Sequence, residues 1–320
     1  MTIFVTGAAG FIGSHLTERL LTAGHSVVAL DNLDGQYSPA DKRLNIEPFW
    51  SNTRFHFVEG DIRDQSLVAD LLRRYRCQVV VHLAARTGVR ASVYEPAVCL
   101  DVNVSGTLSV LEAMRSAQVS RLVMASSSSV YGNSPHLPFR EDDAVAQPLS
   151  PYAMSKRSAE LLAHTYHHLY GFDVACLRFF TVYGPRQRPE MAITRFTRQL
   201  LDGEPITLYG SGNTARNYTH VHDTVSGIVQ AIQYIKGFNI VNIAGPSSTS
   251  LHELVQLLER ATGLPARIDW QPEQPGDVYC TQADLRRAAD QLHYKPSILL
   301  KDGLRDFVAW YQQIHGTVMV

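Results

Sequence analysis

Seven residues near the start, Gly7-Ala8-Ala9-Gly10-Phe11-Ile12-Gly13, constrain the fold more than any other stretch. They follow Thr2-Ile3-Phe4-Val5-Thr6, a short apolar run that reads as a buried strand. They lead into Ile12, His15, Leu16, Arg19 and Leu20 at helical spacing, with Gly24 where a C-terminal cap is expected. In such a strand–turn–helix unit Gly7 permits the tight turn and Gly10 lets backbone N–H groups approach a pyrophosphate. Gly13 lets helix and strand pack closely, and Phe11 and Ile12 lie between as part of the cofactor loop. The helix N-terminus then faces the phosphate charge. A second strand, residues 26–30, closes at Asp31-Asn32, about 20 residues on, where a carboxylate holds a ribose diol and repels a 2′-phosphate. The pattern favours NAD over NADP, with Arg43 as the residue that could neutralise a 2′-phosphate.

The rest of the first half repeats the alternation. Residues 55–59, 79–83, 121–125 and 174–180 read as strands, and 65–76, 97–117 and 151–170 as helices, with Val98, Val102, Leu108, Leu111 and Met114 facing inward. Residues 32–52 read as a loop with one short helix. Apolar strands alternating with amphipathic helices predict an α/β fold, a Rossmann-type doubly wound parallel sheet. After residue 184, Gly, Pro and Arg cluster between helices at 192–202, 223–236, 250–262 and 300–314. The expected organisation is a cofactor domain over 1–180, rejoined by 219–243, and a smaller mixed α/β substrate lobe over 181–320.

Charge and composition exclude several classes. With 29 Lys+Arg against 30 Asp+Glu, the chain carries no electrostatic footprint for nucleic acid or an anionic membrane. No apolar run reads as a membrane span of roughly 18 residues or more, and the opening residues show no secretory signal. Cys77, Cys99, Cys176 and Cys280 lack metal-type spacing and fit free thiols in a reducing compartment. His164, His167 and His168 share a helix without an acidic or cysteine set to complete a metal site. The expectation is a cytoplasmic globular protein with no metal.

Two motifs bear on chemistry. Tyr152 and Lys156 lie four apart, so both side chains share a helix face, and the lysine cation would favour tyrosinate. They follow the serine run 126–129 at the end of the fifth strand, the edge where doubly wound folds place ligands.

The Gly-x-x-Gly-x-x-Gly spacing, Asp61-Ile62 after the third strand and His82-Leu83-Ala84-Ala85 after the fourth resemble the extended short-chain dehydrogenase/reductase superfamily. That resemblance implies that Asp61 and Ile62 flank the adenine, while Leu83, Ala84 and Ala85 line the path to the nicotinamide ribose. It places Ser127 as the hydroxyl that bonds the substrate 4-hydroxyl and Tyr152. It also makes Asn103 a residue that bonds backbone near the cofactor. Sugar-nucleotide 4,6-dehydratases and uronate decarboxylases resemble the chain but carry an acid in the serine loop; here only hydroxyls stand there.

The likeness is strongest to UDP-glucuronate 4-epimerases. It rests on Asp31-Asn32-Leu33, the serine run, residues 177–185 (Leu-Arg-Phe-Phe-Thr-Val-Tyr-Gly-Pro), residues 188–192 (Arg-Pro-Glu-Met-Ala) and residues 274–278 (Gln-Pro-Gly-Asp-Val). UDP-galactose 4-epimerases typically place Asn where Thr181 stands. Arg188 offers a fork-shaped cation suited to a carboxylate at sugar C5, with the hydroxyls of Ser128, Ser129 and Thr181 sharing it. The resemblance puts Arg216 on the UDP pyrophosphate and Asp277 near the uridine ribose. The chain departs from that group at Arg186-Gln187, where Trp-Gly is usual, and at residues 34–37, where Asn-Asp-Tyr-Tyr is usual.

The resulting expectation is an NAD-dependent 4-epimerase interconverting UDP-glucuronate and UDP-galacturonate. Its rivals are another sugar-nucleotide epimerase, a decarboxylase or dehydratase of the same fold, and a non-catalytic dinucleotide sensor. The resemblance further implies a homodimer through the helices near 97–117 and 151–170.

Overall fold

The structure, a computed structural model, describes residues 1–272 and 279–316. Strand β1 (Thr2–Thr6) enters the glycine turn and helix α1 (Phe11–Thr22) leaves it. Next come β2 (Ser26–Asp31) and, inside the stretch read as loop, α2 (Pro39–Ile46). Ser38 caps α2 by accepting from the Asp41 N–H, and Pro39 sits at the first helical position, where its missing donor costs nothing. β3 (Phe55–Glu59), α3 (Gln65–Arg74) and β4 (Val79–His82) follow.

The segment expected as one helix over 97–117 is a continuous helix over Pro96–Ser116 that carries a π turn. After α4 (Val89–Tyr94) it runs as α5 (Pro96–Leu100), the π turn (Asp101–Ser105) and α6 (Gly106–Ser116). Leu111 and Met114 are buried, whereas Val98 and Leu108 are 44% and 42% exposed. The cause is Asn103 in the π turn. Its amide donates to Arg86 O (3.0 Å) and Ser155 Oγ (2.9 Å) and accepts from Arg86 N (2.7 Å). The extra residue in the turn swings the helix face, as π bulges at functional sites do. By length and composition Pro96–Ser116 does reach the threshold for a membrane span, at mean hydropathy 1.3. It nonetheless packs on the sheet through Leu111 and Met114, whose burial contributes about 1.5–3 kcal/mol each.

β5 (Arg121–Ser127), α7 (Pro151–Tyr170) and β6 (Asp173–Phe179) complete the first half. The second half alternates β7 (Thr181–Tyr183), α8 (Ala192–Leu201), β8 (Ile206–Tyr209), β9 (Ala215–His220), α9 (Val221–Tyr234) and β10 (Phe238–Ile243). β11 (Ser248–Ser250), α10 (Leu251–Thr262), β12 (Ile268–Gln271), α11 (Arg286–Leu292) and α12 (Leu300–His315) end the described chain.

Seven strands form one sheet in the order β10-β6-β5-β4-β1-β2-β3, parallel at every pairing. The order reverses between β1 and β4, and a ligand crevice opens beyond the strand ends at such a switch point. One face is covered by α1 and α9, the other by α3, α6 and α7. The short β7 and β9 pair with β11 in a second sheet, and β8 with β12 in a third. A separate core of Phe196, Leu208, Leu254 and Phe307 sits under these. α9 and β10 thus return to the large sheet, while Thr219 and His220 end β9 in the small one.

Candidate active site

The glycine turn is a cradle that side chains would fill. A Cβ on Gly7, whose φ is +69°, would meet Ala84 N at 2.8 Å; one on Gly13 would meet Gly7 O at 2.0 Å. α1 starts at Gly10 with no side-chain cap, so its first N–H groups face the crevice as a ready anion site. Around it opens a cleft of about 710 Å³ that Gly7, Gly10, Phe11, Ile12 and Gly13 line.

Asp31 closes the adenosine end. Its carboxylate accepts from Ala9 N (3.0 Å) and Leu33 N (2.9 Å), and Lys42 Nζ lies 4.0 Å away. Burial raises the Asp31 pKa and the Lys42 charge opposes it. Arg43, the cation weighed for a 2′-phosphate, instead pairs with Glu59 at 3.1 Å on the surface. The basic group lining this end is Lys42, one residue earlier. Asn32 donates to Asp61 (3.1 Å), and hydrogen bonds from Arg63 hold the Asp61 carboxyl down at about 2. Ile62, Leu83, Ala84 and Ala85 line the same cleft. The cradle, the helix terminus and the carboxylate fit a dinucleotide with a free ribose diol.

His82 braces the turn after β4. Buried between Thr6 Oγ1 (2.8 Å) and Thr107 Oγ1 (3.1 Å), it is driven down to about 3 by desolvation and stays neutral. Thr6 Oγ1 also accepts from Ala84 N at 3.2 Å, fixing the backbone beside Gly7.

At the other end of the cleft β5 delivers the serines and α7 the tyrosine and lysine. Ser127 Oγ contacts Ser129 Oγ at 2.7 Å and accepts from Ser129 N at 3.2 Å; Ser128 opens the turn between them. Tyr152 and Lys156 stand one helical turn apart, with Lys156 Nζ 6.0 Å from the Tyr152 ring centre. That ammonium donates to Ala125 O at 3.0 Å. Burial is the largest influence on both groups, pushing Tyr152 up and Lys156 down to about 8. A Ser127 hydrogen bond and the Arg188 charge pull Tyr152 back. The Lys156 ammonium is thus held near the Tyr152 ring by its hydrogen bond to the β5 carbonyl, which leaves its positive charge in place.

One residue further along this face was not singled out from sequence. Glu160 follows Lys156 by four, as Lys156 follows Tyr152. It accepts from Ser126 Oγ (2.6 Å) and from Arg178 Nε and Nη2 (both 2.9 Å), in an ion pair that is fully buried. The serine beside Ser127 is thereby fixed from behind. The i, i+4, i+8 spacing was the available signal.

Thr181, Arg188 and Arg216 also line the cleft. Arg188 Nη1 donates to Thr87 Oγ1 and to Glu190, the latter at 2.9 Å. Arg216 Nη1 donates to Ala215 O at 3.0 Å. Asp277 lies outside the described residues. Arg186, at the position of the first departure, pairs with Glu18 of α1 at 3.0 Å, and Gln187 is buried, donating to Val182 O. His164 packs edge-on against Phe238, and His167 Nδ1 sits 2.7 Å from Phe172 O.

Residues 3–244 match the NAD dependent epimerase/dehydratase family. The chain is similar to the UDP-glucuronate 4-epimerase of Thermodesulfobacterium geofontis, at 40% identity over 97% of this chain and 95% of that one. It is similar to the crystal structure of UDP-glucuronic acid 4-epimerase from Bacillus cereus in complex with UDP-glucuronic acid and NAD. The TM-score is 0.93 and the identity 36%, covering 98% of this chain and 100% of that one. A dTDP-glucose 4,6-dehydratase structure from Streptomyces venezuelae follows closely, with TM-score 0.92 and 34% identity over 99% and 98% of the two chains.

Proposed function

Since the chain belongs to the NAD dependent epimerase/dehydratase family, we propose that it is the NAD-dependent 4-epimerase that interconverts UDP-glucuronate and UDP-galacturonate. The observation that carries the reading is the side-chain set at the end of β5. Ser127, Ser128 and Ser129 meet Tyr152 with hydroxyls alone, beside the Arg188 guanidinium. A dehydratase or decarboxylase needs a further acid or base next to the 4-keto group, and this loop supplies none.

The chemistry follows from positions. Tyr152, bonded to Ser127, accepts the proton of the 4-hydroxyl as phenolate. NAD would be held by the glycine cradle and Asp31 and would supply the hydride acceptor and donor for the sugar C4. Lys156 holds α7 against β5, so the phenol and the serine hydroxyl keep their spacing. The 4-keto sugar turns over in the cleft, and hydride returned to its opposite face gives the epimer. Arg188, Thr181, Ser128 and Ser129 hold the C5 carboxylate, and Arg216 the pyrophosphate. Most of the rate enhancement assigned to the protein is positioning.

Incubating the protein with UDP-glucuronate and no added NAD, then separating the nucleotide sugars, tests the reading. UDP-galacturonate supports it. Carbon dioxide with a UDP-pentose means a decarboxylase; substrate left unchanged even after NAD is added means a sensor or an epimerase of neutral sugars, which incubation with UDP-glucose then separates.

Two further parts of the reading concern setting. Val98, Leu108, Met154 and Leu161 are exposed on α5, α6 and α7, an apolar face that supports a homodimer. Four unpaired thiols support a cytoplasmic location.

A further inference from the structure

Three loops meet at the sugar end of the cleft. Gln36 comes from the loop after β2, Thr87 from the loop after β4, and Arg188 and Glu190 from the loop after β7. Gln36 Nε2 donates to Thr87 O at 2.5 Å and to Thr87 Oγ1 at 3.2 Å. The same Thr87 hydroxyl accepts from Arg188 Nη1, which also lies 2.9 Å from the Glu190 carboxylate. The Arg188 side chain is 17% exposed and that of Glu190 49%. Arg188 is close enough to Tyr152 for its charge to favour the phenolate.

The cation that a C5 carboxylate would meet is thus already engaged by a carboxylate of this chain. We propose that Glu190 is a surrogate for the substrate carboxylate, trading places with it on Arg188 during each turnover. The proposal rests on the uronate reading above. While the 4-keto sugar turns, its carboxylate must leave the guanidinium, and an unpaired guanidinium in a partly desolvated cleft is costly. Glu190, on the same loop, takes the charge during that interval. Thr87, tied to Gln36, keeps the guanidinium in place through the exchange. A neutral C5 hydroxymethyl group cannot displace an anion, so it leaves the Arg188–Glu190 pair intact and draws nothing from the arginine. Glu190 therefore weakens uronate binding and speeds the turn.

The test uses the NAD-loaded protein and the substitution Glu190→Gln. Calorimetry should show UDP-glucuronate binding tighter by about two- to fivefold, the scale of a half-exposed ion pair. UDP-glucose, which also reports that the variant is folded, should change by less than about twofold. Turnover of UDP-glucuronate should fall although its affinity rises, and Glu190→Asp, which keeps the charge, should reverse both changes. Unchanged or weaker UDP-glucuronate binding in Glu190→Gln, or an equal shift for both sugars, overturns the proposal. If the unaltered protein shows no preference for UDP-glucuronate over UDP-glucose, the uronate reading itself fails. A preference retained in the unaltered protein, without tightening in the variant, removes Glu190 alone.

Discussion

Lys156 reaches Ala125 O at 3.0 Å, so an ammonium from α7 is tied to the strand end that carries Ser127. The link fixes the distance between two elements that share no local sequence. One supplies the phenol and the other the hydroxyl beside it. Glu160, a turn further on, repeats the device through Ser126 and Arg178. The catalytic pair is thereby held by two successive turns of one helix.

Tyr152→Phe removes the proton acceptor and little else, since the ring remains to fill its place. The variant should retain NAD and lose turnover by roughly 10²–10⁴-fold. Cofactor content by absorbance and product formation by chromatography check this together. Near-native turnover would take the phenol out of the mechanism.

Buried histidines set the acid limit of stability. His82 and His15 are both driven to about 3, and His220 to about 4, in each case mainly by desolvation. All three are neutral in the fold at pH 6, whereas in the unfolded chain they bind protons below about 6.5. The unfolded state then holds more protons, so stability falls as pH drops from about 6.5 toward 4, at about 1.4 kcal/mol per pH unit for each residue. Thermal denaturation between pH 7 and 5 should show this loss, and His82→Gln should flatten the slope by about one proton. A flat Tm over that range contradicts the assignment.

How much of this was legible in the sequence depends on how local the cause is. The β1–α1 unit and Asp31 were readable because glycine spacing and apolar periodicity act within one unit. The π turn at Asp101–Ser105 was not, because its cause is the tertiary partnership of Asn103 with Arg86 and Ser155. The three-residue strands Thr181–Tyr183 and Ser248–Ser250 exist only through pairing with Ala215–His220. Lys42 was missed for Arg43 because a one-residue step along α2 turns a side chain by 100°, from cleft to surface. Glu160 was visible as spacing, but a carboxylate on a helix face carries no sign that an arginine from a distant strand will bury it.

Cofactor choice should follow from Asp31 and Lys42 together. The carboxylate repels a 2′-phosphate, while the ammonium 4.0 Å from it offsets part of that charge. NAD should bind tighter than NADP by about tenfold or more, equivalent to about 1.4 kcal/mol. Lys42→Met should widen the gap, because the carboxylate then faces the phosphate unopposed. Calorimetric titration with both dinucleotides measures the ratio. Equal affinities in the unaltered protein would count against Asp31 as the discriminator.

Arg188→Ala should separate uronates from neutral sugars. A charge-assisted hydrogen bond contributes about 1.5–3 kcal/mol, or roughly 10–150-fold in kcat/KM. Glu190 already occupies the guanidinium at 2.9 Å, so the substrate gains only the difference between two carboxylates. The expected loss for UDP-glucuronate is therefore at the lower end, about tenfold. The hydroxyls of Thr181, Ser128 and Ser129 remain as donors and limit the loss further. UDP-glucose should lose only what the Tyr152 phenolate loses with the Arg188 charge, a loss both sugars share, so the excess loss for UDP-glucuronate isolates the carboxylate contact. An equal loss for both sugars would assign Arg188 to the phenolate, the nucleotide or the fold, and no loss for either would make it a bystander to Thr87 and Glu190.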